Sequence, residues 1–414
     1  MKYKQIYPWL LIVLLWGVGL LNYLDRQMLA TMRPAMQSSI AELQSATNFG
    51  ILMGIFLWVY GFMSPVAGMI ADKINKKWLI IISLFVWSGV TFGMGYATTY
   101  RQLYWLRAVM GISEALYLPS ALALIANFHR EGTRSLAIGI HMTGLYVGTS
   151  LGGFGATVAA AYSWRVTFHS FGLIGMAYSL VLILFLKGKN DSEKNLANTE
   201  MTLKPKPSLF SGLDLLFSNL SFWIILLSFA VPSLPSWATK NWLPTLFSQK
   251  LNLPMSEAGP LATITISVSQ FMGVIGGGIL SDRWVRKNVR GRIYTSAIGL
   301  LFTIPSLLLL GFGRTFFDFI LAGLCFGIGF GMFDANNMPI LCQFISPQYR
   351  ATAYGLMNMS GILSGAFITE LLGKYADGGH LGKSFAMLSL VVLVVIVIQL
   401  TLLRPRVNDF VEKS

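Results

Sequence analysis

The sequence predicts an all-α membrane protein with twelve transmembrane helices, arranged as two six-helix bundles related by pseudo-two-fold symmetry. Composition is the first reason: 54% of the 414 residues are hydrophobic, 12% are charged and the mean hydropathy is +0.62. Such a chain is too apolar for an ordinary soluble domain. The other two reasons are apolar runs long enough to cross a bilayer, about 20 residues each, and an internal repeat.

The apolar runs recur along the whole chain and lack the alternation of a barrel strand, so helices are the expected spanning elements. The predicted spans are residues 7–28, 48–70, 78–97, 104–127, 135–158, 165–186, 219–243, 258–281, 293–312, 315–341, 351–373 and 383–403. A polar, lysine-rich stretch at 188–214 separates the sixth span from the seventh and is expected to be a cytoplasmic linker. The predicted domains are therefore a first bundle at 1–187 and a second at 215–414.

The distribution of the basic residues that produce the net charge of +14 indicates the membrane topology. With a cytoplasmic N-terminus, 21 of the 31 Lys and Arg residues lie on the cytoplasmic side. Eight, including Lys240, lie on the opposite side, and Arg26 and Arg107 lie within spans. This bias is typical of a multi-pass inner-membrane protein with both termini in the cytoplasm. The basic charge therefore does not indicate nucleic-acid binding. We expect a monomer whose partners are the lipid bilayer, protons and a small-molecule substrate.

No metal, cofactor or nucleotide site is predicted. Cys325 and Cys342 lie in or at the end of the tenth span without metal-ligand spacing. The Gly-x-Ser-x-Gly pattern at 148–152 has no strand before it, and together with Gly144 it is better interpreted as a helix-packing seam. The energy for transport is therefore expected to come from a proton gradient.

Two pairs of segments repeat at nearly one interval. Gly68-Met-Ile-Ala-Asp72-Lys73 after the second span matches Gly278-Ile-Leu-Ser-Asp282-Arg283 after the eighth. Arg134 and Arg350 each open the fifth span of their half. The interval between them along the chain is only slightly longer than the interval between Asp72 and Asp282. The two matches indicate an internal duplication. The predicted gating residues, which would clasp the bundles together on the cytoplasmic side in the outward-open state, are Asp72, Lys73, Arg134, Asp282, Arg283 and Arg350. The alternative is that these loops carry only topogenic charge.

This layout resembles the major facilitator superfamily, whose Gly-x-x-x-Asp-Arg-x-Gly-Arg-Arg loop the two repeated segments follow. Asn75 and Val285 replace the second glycine of that pattern. The resemblance covers almost the whole chain. It implies a transporter, not an enzyme, that works by alternating access around a central cavity.

Four charged residues lie inside the first and fourth predicted spans, where charges are costly and usually functional. Asp25 and Arg26 lie toward the periplasmic end of the first span, and Arg107 and Glu114 lie in the fourth. At about 100° per residue, the seven-residue spacing in the fourth span places Arg107 and Glu114 on one face of the helix.

The four charges resemble a pattern of the anion:cation symporter branch, which includes sugar-acid and organic-anion permeases. The matching segments are Asn22-Tyr23-Leu-Asp25-Arg26 and Arg107-Ala-Val-Met-Gly-Ile-Ser-Glu114-Ala115. The resemblance implies that Asp25 and Glu114 couple protons, while Arg26 and Arg107 hold anionic groups or regulate the two carboxylates. The alternative is a pair of structural ion pairs that fix the bundle.

Further polar residues are candidates for substrate binding in the same cavity. They are Tyr23, His141, Tyr146, Asn337 and Asn358, with Asp334 and Asn336 beside Asn337. Asn358 belongs to a Gly355-Leu-Met-Asn358-Met-Ser360-Gly361 stretch that resembles the Asn-x-x-Gly stretch of the same branch. Each of these polar side chains has a structural alternative, since interhelical hydrogen bonds use the same residue types.

The predicted function is proton-coupled import of a small organic anion such as a hexuronate or aldonate. A spinster-like lipid or lysolipid carrier is one alternative, because that branch also shows Asn-Tyr-x-Asp-Arg and an Arg/Glu pair in the fourth span. A transporter of a neutral sugar or amino sugar is another, with the arginines serving only in gating. A membrane-embedded sensor or enzyme is disfavoured because the sequence has no soluble sensory domain and no credible catalytic cluster.

Overall fold

The computed structural model describes residues 2–129, 131–188, 214, 216–346 and 349–405. The side chains of residues 2–5, Asp72, Glu131, Ser135 and Ala351 lie outside this description. The predicted linker at 188–214 falls almost wholly outside the described residues too. Within the described part of the chain the secondary structure is helical, as predicted.

The first half consists of eight α-helices and one short 3-10 helix. They are α1 (Lys2–Met36), the 3-10 helix (Ala41–Gln44), α2 (Ala46–Lys73), α3 (Lys76–Met94), α4 (Tyr100–Ala115), α5 (Tyr117–Phe128), α6 (Glu131–Gly152), α7 (Gly155–Ala161) and α8 (Trp164–Phe185). The second half follows after the predicted linker. It contains α9 (Leu220–Leu251), α10 (Met255–Val285), α11 (Gly291–Phe312), α12 (Phe316–Asp334), α13 (Asn337–Phe344), α14 (Arg350–Asp377) and α15 (Leu381–Leu402).

Eleven segments of the described chain are long and apolar enough to cross a membrane. They correspond to all the predicted spans except the fifth, which forms the more polar α6 and the short α7. The fourth and tenth spans are each broken near the middle, between α4 and α5 and between α12 and α13. Broken spanning helices expose backbone and side-chain polar groups to a cavity inside the protein.

Two helices run well past their predicted ends, so Arg26 and Lys240 lie farther from the helix ends than the sequence predicts. The helix α1 ends at Met36 instead of residue 28, and α9 ends at Leu251 instead of residue 243. At 1.5 Å per residue, Arg26 and Lys240 therefore each lie about 15 Å from the end of their helix. The sequence places Lys240 on the external side at the end of the predicted seventh span, whereas in the structure it lies well before the end of α9.

The predicted glycine seam packs α6 against α1. The side of α6 that carries the seam has no Cβ atoms, so the α1 backbone approaches to a distance at which a Cβ would clash. The contacts join Gly144, Gly148 and Gly152 to the carbonyl oxygens of Trp16, Leu20 and Leu24, respectively. In each helix the contacting residues follow one another at intervals of four residues, so α6 and α1 contact each other on three successive turns.

The internal repeat is visible in a pair of matching hydrogen bonds. Arg134 Nη2 donates to the carbonyl oxygen of Ala126 at 3.4 Å, and Arg350 Nη2 donates to that of Cys342 at 2.9 Å. The interval along the chain between the two arginines equals the interval between the two acceptors. In each half the arginine therefore binds a free carbonyl near the C-terminal end of the preceding span, where cations are favoured.

The two halves are apart on one side of the molecule. We call the side that carries the start of α1 and the end of α15 the terminal face, and the opposite side the distal face. A Cβ built on Gly68, Gly139, Gly278 or Gly355 meets no atom within 4 Å, and these glycines lie in α2, α6, α10 and α14 toward the terminal face. The same four helices contact each other nearer the distal face. The space between the halves therefore opens on the terminal face.

A carboxylate of the second half closes the distal face. Asp377, the last residue of α14, accepts hydrogen bonds of 2.6 to 2.9 Å from the backbone N–H groups of Ala46 and Thr47 and the hydroxyls of Ser45 and Thr47. These groups form the N-terminus of α2, which favours an anion. A similar contact was predicted between the bundles at the cytoplasmic loops, but the structure forms this one at the distal face.

Further bonds between the halves lie in the same region. Trp58 Nε1 of α2 donates to Glu370 Oε1 of α14 at 2.8 Å, and Thr157 Oγ1 of α7 donates to the carbonyl oxygen of Ser256 in α10 at 2.6 Å. The distal closure thus joins α2 to α14 and α7 to α10.

We predict that Asp377→Asn weakens the distal closure, because the amide lacks the negative charge that the helix N-terminus favours. A loss of about 1 kcal/mol, typical of a helix cap, changes the ratio of closed to open molecules roughly fivefold. Pulsed electron paramagnetic resonance between spin labels at Ser38 and Gln249, exposed positions of opposite halves, measures the ratio as a new population at longer distance.

Asp318→Asn is the matched control. Asp318 also caps a helix at the distal face, but it accepts from Arg314 and Thr315 of its own half. Its loss is expected to lower stability without changing the distance distribution. An unchanged distribution in Asp377→Asn would contradict the assigned role.

Candidate functional site

The predicted charges of the first and fourth spans form a buried ion pair. Arg26 Nε of α1 donates to Glu114 Oε2 of α4 at 2.5 Å. The Arg26 side chain is 12% exposed and that of Glu114 is fully buried. Glu114 lies one residue before the break between α4 and α5. The contact therefore fixes the middle of the first span against the broken part of the fourth.

Aromatic rings surround the two guanidinium groups. The Cζ atom of Arg26 lies 5.0, 4.9 and 4.6 Å from the ring centroids of Tyr23, Phe56 and Tyr60. The Cζ atom of Arg107 lies 4.5 Å from the Phe56 centroid. Rings at this distance stabilise cations and exclude water. Arg107 is 3% exposed and donates to the Met110 sulfur, so in this conformation it does not reach the cavity.

Asp25 is also buried, but it faces a different neighbour from Arg26. Its Oδ2 atom accepts a 3.2 Å hydrogen bond from Thr91 Oγ1 of α3. Consecutive residues on a helix point about 100° apart, which explains why Asp25 contacts α3 while Arg26 contacts α4.

Three charged side chains of this cluster keep an unused polar atom. Glu114 Oε1, Asp25 Oδ1 and Arg107 Nε are buried and have no hydrogen-bond partner among the described residues. Buried polar atoms without a partner are unfavourable, and they concentrate at sites where a ligand, a proton or water binds. The cluster contains two cations and two carboxyl groups, so its net charge changes when a carboxylate takes up a proton.

The second half contributes a lysine and an aspartate to the space between the halves. Asp334, the last residue of α12, is exposed and accepts a 3.3 Å hydrogen bond from Asn337 Nδ2. It interacts electrostatically with Lys240 of α9, Tyr146 of α6 and Tyr23 of α1. Residues of both halves therefore surround one solvent-accessible space in the middle of the membrane spans.

The other predicted substrate-binding residues occupy different positions. Tyr146 contacts Phe271 of the second half, with ring centroids 6.1 Å apart. Asn358 is partly exposed one helical turn from Tyr354, which is 40% exposed and interacts electrostatically with Asp334. Asn337 is 9% exposed. The side chains of Tyr146 and Asn358 are thus partly exposed, whereas that of Asn337 is buried and reaches the cavity only through its bond to Asp334.

His141 lies inside the first half, away from the cavity. It is 0% exposed and packs edge-to-face against Tyr117, with ring centroids 6.1 Å apart. Neither ring nitrogen has a hydrogen-bond partner among the described residues. In this conformation His141 does not reach a solute in the cavity, because α1 and α5 cover it.

Three of the predicted gating residues, Asp282, Arg134 and Arg350, form polar contacts within their own halves. Asp282 Oδ1 lies 3.7 Å from Arg292 Nη2 of α11, and the Asp282 side chain is 70% exposed. Arg134 and Arg350 bind carbonyl oxygens of the preceding spans, and Lys73 and Arg283 are exposed. The Asp72 side chain lies outside the described residues. The gating role stays a prediction for a state in which the terminal face is closed.

Sequence reasoning missed Lys240 as a site residue and did not foresee Asp377. A lone lysine between Trp237 and Trp242 within a run that continues to Phe247 was the signal for Lys240. The predicted span ended shortly after Lys240, whereas α9 continues through Pro244 to Leu251.

Two helical bundles around a central cavity with intramembrane charges define a multi-pass transport protein. Residues 15–369 match the Major Facilitator Superfamily, so the chain belongs to this family of transporters and is not an enzyme. Homologues include the D-galactonate transporter of Escherichia coli O6:H1, 24% identical over 407 residues, which cover 93% of each chain. The hexuronate transporter of Bacillus subtilis is 23% identical over 410 residues, 91% of each chain.

The fold is shared with a solved structure. It is a bacterial homologue of the human lysosomal transporter spinster in an inward-facing and occupied conformation. The TM-score is 0.76, the identity is 18% and 98% of each chain is covered. At this identity the likeness establishes the fold alone.

We predict energetic coupling between Arg26 and Glu114. Each of Arg26→Met and Glu114→Gln leaves a buried partner unpaired and should lower the thermal midpoint, because an uncompensated buried charge is strongly destabilising. The double variant should lose less than the sum of the single losses, with a coupling of about 0.5–3 kcal/mol. Thermal unfolding of the four purified proteins in one detergent measures the cycle.

The corresponding cycle at Asp282 and Arg292 is the control. That pair is long and exposed, so a coupling of about 0–1 kcal/mol is expected. Additive losses at Arg26 and Glu114 would show that their contact contributes no pairwise energy.

Proposed function

We propose that this transporter is a proton-coupled symporter that imports a small organic anion, such as a hexuronate or aldonate, by alternating access. The observation that carries the proposal is the Arg26–Glu114 ion pair in the middle of the membrane spans, with Glu114 Oε1 and Asp25 Oδ1 unpartnered. An intramembrane carboxylate held by a single arginine can exchange that arginine for a proton. A structural pair with no spare atom offers no such exchange.

The coupling follows from competition for Arg26. A substrate anion that draws the guanidinium away leaves the Glu114 carboxylate without its bonded counter-charge, with only the more distant Arg107 acting on it, and proton uptake then neutralises it. By linkage, a proton on Glu114 also frees Arg26 for the anion. Asp25 is the second proposed proton site because it shares the buried cluster. Substrate and proton therefore favour each other's binding, which is the requirement for symport.

Direction and location complete the proposal. The bias of Lys and Arg assigns the terminal face to the cytoplasm and the membrane to the inner membrane. The cavity would then be open to the cytoplasm, the side on which an importer releases its solute. We propose that the chain works as a monomer with the proton gradient as its energy source, without a metal, a cofactor or nucleic acid.

The sugar-acid substrate is supported by the two transporters that match over more than nine-tenths of both chains, whose names refer to galactonate and hexuronate. The exposed Asp334 and the tyrosines around it add hydrogen-bonding groups suited to hydroxyls. A spinster-like carrier of a lipid or lysolipid is the second candidate, because that branch shares the Asn-Tyr-x-Asp-Arg pattern and the Arg/Glu pair of the fourth span.

We predict that Glu114→Gln abolishes uptake driven by a proton gradient while substrate exchange continues. The glutamine keeps the side-chain volume but cannot lose or gain a proton. Proteoliposomes with radiolabelled D-galactonate measure both activities, by imposed pH gradient and by counterflow. Preserved gradient-driven uptake would contradict proton coupling through Glu114. Lys250→Gln, an exposed charge removed at the end of α9, is the control and should change neither activity.

We predict that D-galactonate or D-galacturonate raises the melting temperature of the purified protein, whereas galactose and lysophosphatidylcholine do not. A ligand at 100 times its Kd adds about 2.7 kcal/mol of stability to the folded state. Stabilisation by the lysolipid alone would identify the second candidate. Stabilisation by galactose equal to that by the acids would assign the arginines to gating.

A further inference from the structure

We propose that Lys240 and Asp334 form a second substrate subsite in the C-terminal half, in which Lys240 binds the anionic group of a polyhydroxylated acid and Asp334 accepts hydrogen bonds from its hydroxyls. This inference rests on the proposed function and deepens it, because it divides recognition of one substrate between the two halves.

The position of the pair in the repeat is the first argument. Along the chain, the interval from Arg26 to Lys240 is longer than that between the repeated Asp72 and Asp282 loops and shorter than that between Arg134 and Arg350. The interval from Glu114 to Asp334 is slightly longer than both. Each half thus has a cation in the middle of its first helix and a carboxylate in the last turn before the break in its fourth span. The second half has kept the charge types of the first.

The two pairs differ in their contacts. Arg26 and Glu114 are in contact at 2.5 Å, whereas no carboxylate of the described residues lies within 4.0 Å of the Lys240 ammonium. Lys240 is partly exposed and Asp334 is exposed, and their charges attract each other although no ion pair joins them. A ligand group that carries both charge and hydroxyls fits between two such side chains. The charges of Arg26 and Glu114 are in contact, whereas those of Lys240 and Asp334 are not.

Access distinguishes Lys240 from the arginines. Arg107 is 3% exposed and Arg26 is bound to Glu114, whereas Lys240 is partly exposed and stands over the Trp237 ring at 4.8 Å. The ring stabilises the ammonium on one side, and the ammonium donates no hydrogen bond to a described residue, so its three donors are available to a ligand. Lys240 is therefore the cation in the middle of the spans whose charge is open to a solute.

Lys240 also connects the subsite to the first half. Its carbonyl oxygen accepts a 2.8 Å hydrogen bond from Gln27 Nε2, the residue after Arg26. The Lys240 and Arg26 charges interact electrostatically across the halves, and two cations repel. An anion bound between them relieves this repulsion, so binding at Lys240 would draw the halves together around the substrate.

The acceptor chemistry of Asp334 selects the substrate class. An ionised carboxylate only accepts hydrogen bonds, so its ligand must supply donors. The hydroxyls of a sugar acid do so, and an acyl chain does not. Tyr23, Tyr146 and Tyr354 interact electrostatically with Asp334 and surround the same position with further hydroxyls.

The test measures binding of D-galactonate and of hexanoate, an acid of equal chain length without hydroxyls, to the purified full-length protein by isothermal titration calorimetry. Lys240→Gln should weaken both ligands at least tenfold. Asp334→Asn should weaken D-galactonate at least fivefold and leave hexanoate within twofold. Lys240→Arg, which keeps the charge, should recover at least part of the lost affinity, and Lys250→Gln is the surface control.

The outcomes separate this proposal from the proposed function. Unchanged D-galactonate affinity in Lys240→Gln and Asp334→Asn, with Glu114→Gln still uncoupled in transport, overturns the subsite and leaves the symporter. Absence of D-galactonate binding to the unmodified protein overturns both. Equal weakening of D-galactonate and hexanoate by Asp334→Asn overturns the hydroxyl role. Where Lys240→Gln does not fold, as judged by gel filtration, the Asp334→Asn and Lys240→Arg measurements decide.

Discussion

A buried charge in a membrane needs a partner, and the Arg26–Glu114 contact is how this protein meets that requirement at its centre. Breaking such a pair without a replacement leaves an uncompensated ion in a low dielectric. The first half is therefore held in one arrangement until a replacement charge arrives. The aromatic rings of Tyr23, Phe56 and Tyr60 keep water out and make the requirement strict. Substrate and proton are the two replacements that a transporter can recruit.

The two halves share the same arrangement of helices but differ in how their central charges are paired. Each has an arginine that binds a carbonyl of the preceding span, and each has a broken fourth span. The first half has a closed ion pair and buried guanidiniums, whereas the second presents Lys240 and Asp334 to solvent. Duplication produced equivalent positions, and later divergence gave one half a self-neutralised cluster and the other an open one.

The sequence predicted the helical fold, eleven of the twelve spans as apolar helices, a glycine seam for helix packing and four charges inside the first and fourth spans. These features depend on hydropathy, on local spacing or on the family pattern. The ends of α1 and α9 were missed because helical hydrogen bonding continues past the apolar run. The burial of His141 and the contacts of Asp377 depend on packing between distant segments, and no periodicity in one segment reports that.

The distal closure depends little on which residues stand at the N-terminus of α2. Asp377 binds main-chain N–H groups at positions 46 and 47, and every residue except proline supplies one. Apart from Ser45 and Thr47, whose hydroxyls also bind Asp377, the side chains along that edge of α2 can vary among homologues, provided that the helix starts at the same place. A one-residue insertion before Ala46 would displace the donors, whereas most substitutions there would be tolerated. Selection should therefore act on loop length more strictly than on residue identity.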